Sequence, residues 1–138
     1  TLEIWYANVP TGTTATISVT LNFAPNFLGI SVGKLTGVTA TPTDTETKTG
    51  ITSEPFTFDT GITIPATGFG IAAIASNADA SGGPTRSANW TGQSAVFNAG
   101  IGSLIVGMTN TSGSQNPSVT NLGAGFSFGN GAMAAWGP

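Results

Sequence analysis

The sequence predicts an all-β fold, namely one antiparallel β-sandwich of jelly-roll type that spans residues 1–138. Three observations support this prediction. Residues 16–23 alternate apolar and polar side chains with a period of two, as a half-buried strand does. Many other short apolar segments end at Gly, Asn or Pro, and none has helical periodicity. The 138 residues include 23 Thr, which favour strands, and 20 Gly, which favour turns and bulges. A chain of this length fits one domain.

The first three predicted strands lie in the N-terminal quarter of the chain. Residues 2–9 and 16–23 are expected to form a hairpin around a turn at residues 10–13. Residues 27–36 are the third strand. In the second strand, one row of apolar side chains is expected to point inward, namely Ile17, Val19, Leu21 and Phe23. In the third strand, a row on one face consists of Leu28, Ile30 and Val32. Adjacent residues of a strand point to opposite faces, so one of Trp5 and Tyr6 should be core and the other surface or interface.

Residues 39–50 differ from the rest because Thr alternates with charged residues and proline, and few side chains are apolar. This pattern predicts an exposed edge strand or loop that charge protects from pairing with other chains. Asp44 and Glu46 would lie on the same side of such a strand. They could therefore bind Ca²⁺ or act as a paired acid and base, but protection of the edge is the favoured interpretation.

The remaining chain predicts a series of shorter strands. Residues 55–58 and 62–64 flank a turn at residues 59–61, and residues 69–75 suit a central strand that is buried on both faces. A surface loop is expected at residues 76–87. Further strands are expected at residues 88–90, 95–97, 103–108, 123–128 and 132–136. The predicted core consists of Ile17, Val19, Leu21, Ile30, Val32, Ile71, Ile74, Leu104, Val106 and Phe126.

The composition argues against several classes of function. The chain has no Cys, no His, three Lys and Arg together, and six Asp and Glu together. Catalysis and metal binding draw mainly on the residue types that are missing or scarce, so we expect a non-enzymatic protein without cofactor or metal. Lys34, Lys48 and Arg86 are too few and too scattered to bind nucleic acid. No apolar run approaches the 18 residues or more of a membrane span, so no membrane partner is expected.

Trp90 is the principal candidate for ligand contact, together with Asn89 and Arg86. Its ring is flanked by side chains that could hydrogen-bond sugar hydroxyls, and the predicted loop at residues 77–86 would lie nearby. Trp5 and Tyr6 could stack on sugars in the same way. The other interpretation of Trp90, an anchor at the end of a strand over the core, is the favoured one.

The order of the segments resembles a jelly-roll-like domain that recurs in structural proteins of tailed phages. The resemblance is carried by residues 4–12, by the alternating residues 16–23, by residues 29–32 leading to residues 35–37, by residues 88–92 and by residues 131–136. It covers nearly the full length of the chain in order. These motifs describe strands rather than a site, so the resemblance supplies no catalytic residue.

The resemblance implies a structural protein of the virion surface: a capsid decoration protein, a fibre component or a tail-associated domain. The expected partners are further copies of the chain, with a trimer as the first expectation, and other virion proteins such as the major capsid protein. Low charge and small side chains agree with packing in such assemblies. The alternative function is a carbohydrate-binding module or adhesin that contacts a surface glycan through the aromatic surface around Trp90.

Overall fold

The computed structural model describes residues 2–8, 16–24, 28–78, 84–98, 102–123 and 125–138. This part of the chain is all β and contains no helix. Its strands are β1 (Asp44–Ile51), β2 (Phe56–Thr57), β3 (Ile62–Ile64), β4 (Phe69–Ser76), β5 (Thr85–Arg86), β6 (Thr91–Asn98), β7 (Gly102–Thr109), β8 (Gly113–Gln115), β9 (Ser118–Thr120) and β10 (Gly129–Trp136).

Five of these strands form one large antiparallel sheet in the order β1-β10-β4-β7-β6. Two smaller antiparallel sheets, β2-β9-β5 and β3-β8, pack over one face of it, so the fold is a β-sandwich. We call the face of the large sheet that meets the small sheets the inner face, and the opposite one the outer face. The predicted fold class is therefore confirmed, whereas the jelly-roll topology stays a prediction.

The core lies between the inner face and the small sheets. The large sheet contributes alternate residues of its strands, including Ile74 of β4, Ile105 of β7 and Met133 of β10. The small sheets contribute Phe56, Ile62, Ile64 and Val119, and further buried side chains come from Phe58, Trp90 and Leu122. A second cluster on the outer face joins Ala73, Leu104 and Val106, with Leu2 and Ile71 packed against it.

The central and edge strands lie where the sequence predicts them. β4 is the middle strand of the large sheet and is buried on both faces, with Ile74 in the inner cluster and Ala73 in the outer one. β1 is an edge strand, as the alternating Thr residues predict. The two short strands β2 and β3 flank the predicted turn, in which Gly61 has a φ of +80°. Of the predicted core, Ile74, Leu104 and Val106 are buried, and Ile71 and Phe126 are partly buried.

The N-terminal predictions are wrong. Residues 2–8, 16–24 and 28–36 form no strand in the structure, and the predicted turn at residues 10–13 lies outside the described residues. The apolar side chains predicted on one face in this region are all exposed: Ile17, Val19, Leu21, Phe23, Leu28, Ile30 and Val32. Trp5 and Tyr6 are both exposed, so neither belongs to the core. A period of two identifies residues that share a face, but it does not supply a layer to cover that face.

Three predictions in the second half of the chain are also corrected. Residues 88–90 form no strand. Residues 88 and 89 lie in a turn that is closed by a hydrogen bond from Trp90 N–H to the carbonyl of Ser87 (3.0 Å). The described residues between 123 and 128 form no strand, and Phe126 N–H bonds to the carbonyl of Gly123 (3.2 Å). The predicted loop at residues 76–87 contains β5, and its residues 79–83 lie outside the described part of the chain.

Candidate functional site

Trp90 is a core residue in the structure. Its side chain is 6% exposed and belongs to the inner cluster. Arg86 on β5 lies beside it, because both side chains pack over Gly107 of β7: a Cβ built there would lie 3.6 Å from atoms of each. Asn89 is exposed in the adjoining turn. The structure therefore brings Trp90 and Arg86 together inside the sandwich, and the buried indole offers no open face to a sugar ring.

Glycines of the large sheet provide the space for these two side chains. Gly92 of β6 pairs with Gly107 of β7, so neither strand has a side chain at this register position. A Cβ at Gly92 would lie only 2.7 Å from Nη1 of Arg86, and a Cβ at Gly70 would lie 3.4 Å from Cη2 of Trp90. Real Cβ atoms do not approach other atoms as closely as the first of these distances. The absence of Cβ atoms at these glycines allows Trp90 and Arg86 to pack directly on the sheet.

Arg86 is partly buried and pays an electrostatic cost there. Its Nε is buried and has no hydrogen-bond partner among the described residues. Burial lowers the pKa of the guanidinium below its ordinary value, because the charged form loses solvation. The Cδ atom of its stem lies over Gly107 and its guanidinium lies over Gly92, so the side chain packs along the sheet.

The carboxylates of β1 bind the chain segment that leads into β3. Asp44 accepts a hydrogen bond from the backbone N–H of Thr63 (2.7 Å). Glu46 accepts bonds from the N–H groups of Asp59 (2.7 Å) and Thr60 (3.1 Å), and Lys48 forms an ion pair with Asp59. Asp44 and Glu46 do lie on the same side of the strand, as predicted. Their role in the structure is to hold this segment on the edge of the sheet.

Glu54 has a comparable role elsewhere. Its carboxylate accepts hydrogen bonds from the N–H groups of Asn121 (3.0 Å) and Leu122 (2.7 Å), and Leu122 is fully buried in the core.

A search of the described residues finds no group of three or more His, Cys, Asp or Glu that could hold a metal ion. In the same part of the chain, no helix is long and apolar enough to cross a membrane.

The N-terminal segment forms a groove with the outer face, which we call the aromatic groove. It is lined by Ile4, Trp5, Thr45, Thr47, Ala132 and Ala134, among others, and its volume is about 390 Å³. Trp5 is 85% exposed, and its indole N–H donates to Oε2 of Glu3 (2.8 Å). The ring of Tyr6 meets that of Trp136 edge-on at a centroid distance of 6.4 Å. An aromatic ring open to solvent is thus present here and not at Trp90.

The most unusual surface of the molecule is the segment that comprises residues 16–24 and 28–33, which we call the arm. Seven large apolar side chains of the arm are between 39% and 67% exposed: Ile17, Val19, Leu21, Phe23, Leu28, Ile30 and Val32. The arm contains no charged residue, since Lys34 is the first that follows it. Single exposed apolar residues are normal on soluble proteins, but many of them within one short stretch of chain are typical of an interaction site. The alternation visible in the sequence is the signal for this site, although such alternation ordinarily predicts a buried face.

Comparison with models of protein families, with curated proteins and with solved structures finds no match to this chain.

Proposed function

We propose that this chain is a non-enzymatic structural protein of a phage virion, a capsid decoration or fibre component on the virion surface that assembles as a homo-oligomer with capsid or tail proteins. The observation that carries the proposal is the arm, which has seven exposed apolar side chains with strand periodicity in the sequence, whereas the described strands between residues 44 and 136 bury theirs in a sandwich. Exposure of these side chains to water is unfavourable, and their burial against another protein lowers the free energy. The sequence resemblance to structural domains of tailed phages gives the partner class.

The internal use of charge supports the same proposal. Asp44, Glu46 and Glu54 bind backbone N–H groups of the chain itself, and Asp59 pairs with Lys48. The outer side of β1 presents Thr45, Thr47 and Thr49, which are uncharged and exposed. Surfaces of this kind pack against a neighbour without the large cost of desolvating ions. The formal net charge of −3 also opposes association only weakly.

The proposal predicts that the purified full chain is an oligomer and occurs in particles. Sedimentation equilibrium should give a mass that is an integral multiple of 13.7 kDa, with three copies as the first expectation. Antibodies against the chain should label the surface of intact virions prepared from its source. A strictly monomeric chain that is also missing from purified particles would contradict the proposal. An oligomer of a different order would change only the number of copies.

The aromatic groove favours a second candidate function, a carbohydrate-binding module, at a different position from the one predicted. Trp5 offers an exposed ring and a neighbouring carboxylate, as glycan contacts require, whereas Trp90 is buried. If the groove binds a sugar, Trp5→Ala should abolish binding on a glycan array while the unfolding midpoint stays unchanged. Phe128→Ala, at an exposed position outside the groove, is the matched control and should bind as the unaltered chain does. If the unaltered chain retains no glycan on the array, this candidate is eliminated.

A further inference from the structure

The aromatic groove is lined by three parts of the chain. They are the N-terminal residues 2–6, the strand β1 with Thr45 and Thr47, and residues 132–134 of β10. The volume of about 390 Å³ lies within the usual range of small-ligand sites, roughly 300–1,000 Å³. A groove of this size suits an organic ligand such as a short oligosaccharide.

Trp5 offers a flat apolar surface in this groove. Its ring is largely exposed, and its indole N–H donates to Oε2 of Glu3 (2.8 Å). Because this N–H already has an acceptor, the part of the ring that remains available to a ligand is its electron-rich face. A pyranose ring has C–H groups on one side that pack against such a face, so Trp5 suits a stacked sugar.

Glu3 gives the groove a negative charge. Among the described residues that line the groove, it is the only charged one. All three basic residues of the chain lie in its described part, and none lines the groove: Lys34, Lys48 and Arg86. Lys48 forms its ion pair with Asp59, and Arg86 packs on the inner face. The carboxylate of Glu3 thus has no cationic partner among the described residues.

The strand β1 contributes hydroxyl groups rather than charge to the groove. Thr45 and Thr47 are exposed and line it. Asp44 and Glu46 point to the opposite side of the strand, where they accept hydrogen bonds from backbone N–H groups. A threonine hydroxyl both donates and accepts hydrogen bonds, as the hydroxyls of a sugar do. The groove therefore combines an aromatic ring, hydroxyl groups and one carboxylate.

The position of Glu3 beside Trp5 determines which part of a stacked sugar it meets. Its carboxylate lies at the edge of the indole, in contact with Nε1. A sugar that stacks on the ring face directs its equatorial substituents outward, past this edge. A protonated amine in such a position forms a charge-assisted hydrogen bond with the carboxylate, and the ring face also attracts the cation. An acidic sugar would instead bring two negative charges together.

We infer that the aromatic groove binds glycans that contain free amino sugars such as glucosamine, with one pyranose ring stacked on Trp5 and its ammonium group on Glu3. This inference rests on the second candidate function, carbohydrate binding at this groove, and it names the class of glycan. Charge complementarity carries it, since an acidic groove on a chain of formal net charge −3 favours a cationic ligand over an anionic one. Thr45 and Thr47 bind hydroxyls of the same glycan.

The first test compares three β-1,4-linked hexasaccharides that differ only in the group at C2 of each sugar. Glucosamine has an ammonium group there, N-acetylglucosamine a neutral amide, and glucose a hydroxyl. Isothermal titration calorimetry with the full chain at about pH 6, where carboxylates in general are ionised and amines protonated, measures each affinity. The glucosamine hexamer should bind on the order of 10-fold more tightly than the other two, and added salt should reduce this preference.

The second test alters the residues to which the inference assigns the contacts. Glu3→Gln keeps an acceptor for the indole N–H but has no charge, so it should bind the three hexamers alike. Trp5→Ala removes the stacking surface and should bring all three below detection. Asp59→Asn is the matched control, because it removes the same charge outside the groove and should leave the preference unchanged. Circular dichroism should show the same β spectrum for every variant.

The outcomes separate this inference from the proposed functions. Equal affinities of the three hexamers, with no effect of Glu3→Gln, would overturn the inference while carbohydrate binding at the groove persists. Binding of the glucosamine hexamer to Trp5→Ala as tightly as to the unaltered chain would show attraction to the net charge of the protein, and this result would also overturn it. If no hexamer binds, the inference and the second candidate function fail together. The proposed structural role in a virion is independent of these results.

Discussion

Replacement of Trp90 by alanine is expected to lower the free energy of unfolding by about 3–5 kcal/mol, the usual cost of removing a buried aromatic side chain. The ring is 6% exposed and packs over the glycines of the large sheet, so its removal leaves a cavity lined by backbone that is held in place by β-pairing. Because Gly70 and Gly107 have no side chains, no neighbouring group can rotate from these positions to fill the space. Denaturant unfolding monitored by far-ultraviolet circular dichroism measures this loss.

Trp5→Ala is the matched control for that measurement. It removes the same side chain from a position that is 85% exposed, so the expected change is within about 0.5 kcal/mol. Equal unfolding midpoints for Trp90→Ala and the unaltered chain would show that the ring of Trp90 is not part of the core. A midpoint lowered by Trp5→Ala alone would instead assign the structural role to the N-terminal segment.

Local signals account for the parts of the fold that the sequence predicts correctly. The turn at residues 59–61 depends on one glycine with positive φ, and the alternating Thr residues of β1 reflect the exposure of its outer side. The dense apolar run of β4 corresponds to a strand that is covered on both faces. In each case the structure of the segment is determined by residues within the segment itself, or by burial of the segment as a whole.

The failures arise where the outcome depends on distant parts of the chain. The alternating row that begins at Ile17 predicts a buried face, but none of the described residues forms a layer that buries it, and periodicity cannot reveal that. Conversely, Leu122 lies outside any strand, yet its side chain is fully buried in the inner cluster, and its backbone N–H donates to Glu54, which is remote in sequence. The core residues Ile62 and Ile64 lie in a strand of only three residues, which is too short to give a strong pattern.

The arrangement of the candidate site also depends on residues that are distant in sequence. The sequence identifies Trp90 and Arg86 as notable, and the structure places them together, but it does so through three glycines on three different strands. Nothing in the local sequence of Trp90 shows that Gly70 and Gly107 will lie beneath it. The exposed aromatic ring at Trp5 was likewise unpredictable, since the pair Trp5 and Tyr6 reads as one buried and one exposed residue on a strand. The segment forms no strand, and both are exposed.

Phe56→Ala should also lower the free energy of unfolding by about 3–5 kcal/mol. Phe56 is fully buried, and its ring meets that of Phe58 edge-on at a centroid distance of 5.4 Å. The same ring covers Gly131 of β10 so closely that a Cβ built there would lie 2.7 Å from its Cζ. Phe56 therefore joins β2 of the small sheet to β10 of the large one. Phe128→Ala is the matched control, because that side chain is 47% exposed and should cost less than about 1 kcal/mol.

The contact with Gly131 allows a sharper version of this experiment. Gly131→Ala alone should cost about 1–3 kcal/mol, since the added methyl group overlaps the rings of Phe56 and Phe58. In the double variant Phe56→Ala with Gly131→Ala, the cavity left by the first change admits the methyl group of the second. The combined loss should thus be smaller than the sum of the two single losses, by about 0.5 kcal/mol or more. Strict additivity in denaturant unfolding would mean that Phe56 does not pack over Gly131, and the docking of the small sheet on β10 would have to be revised.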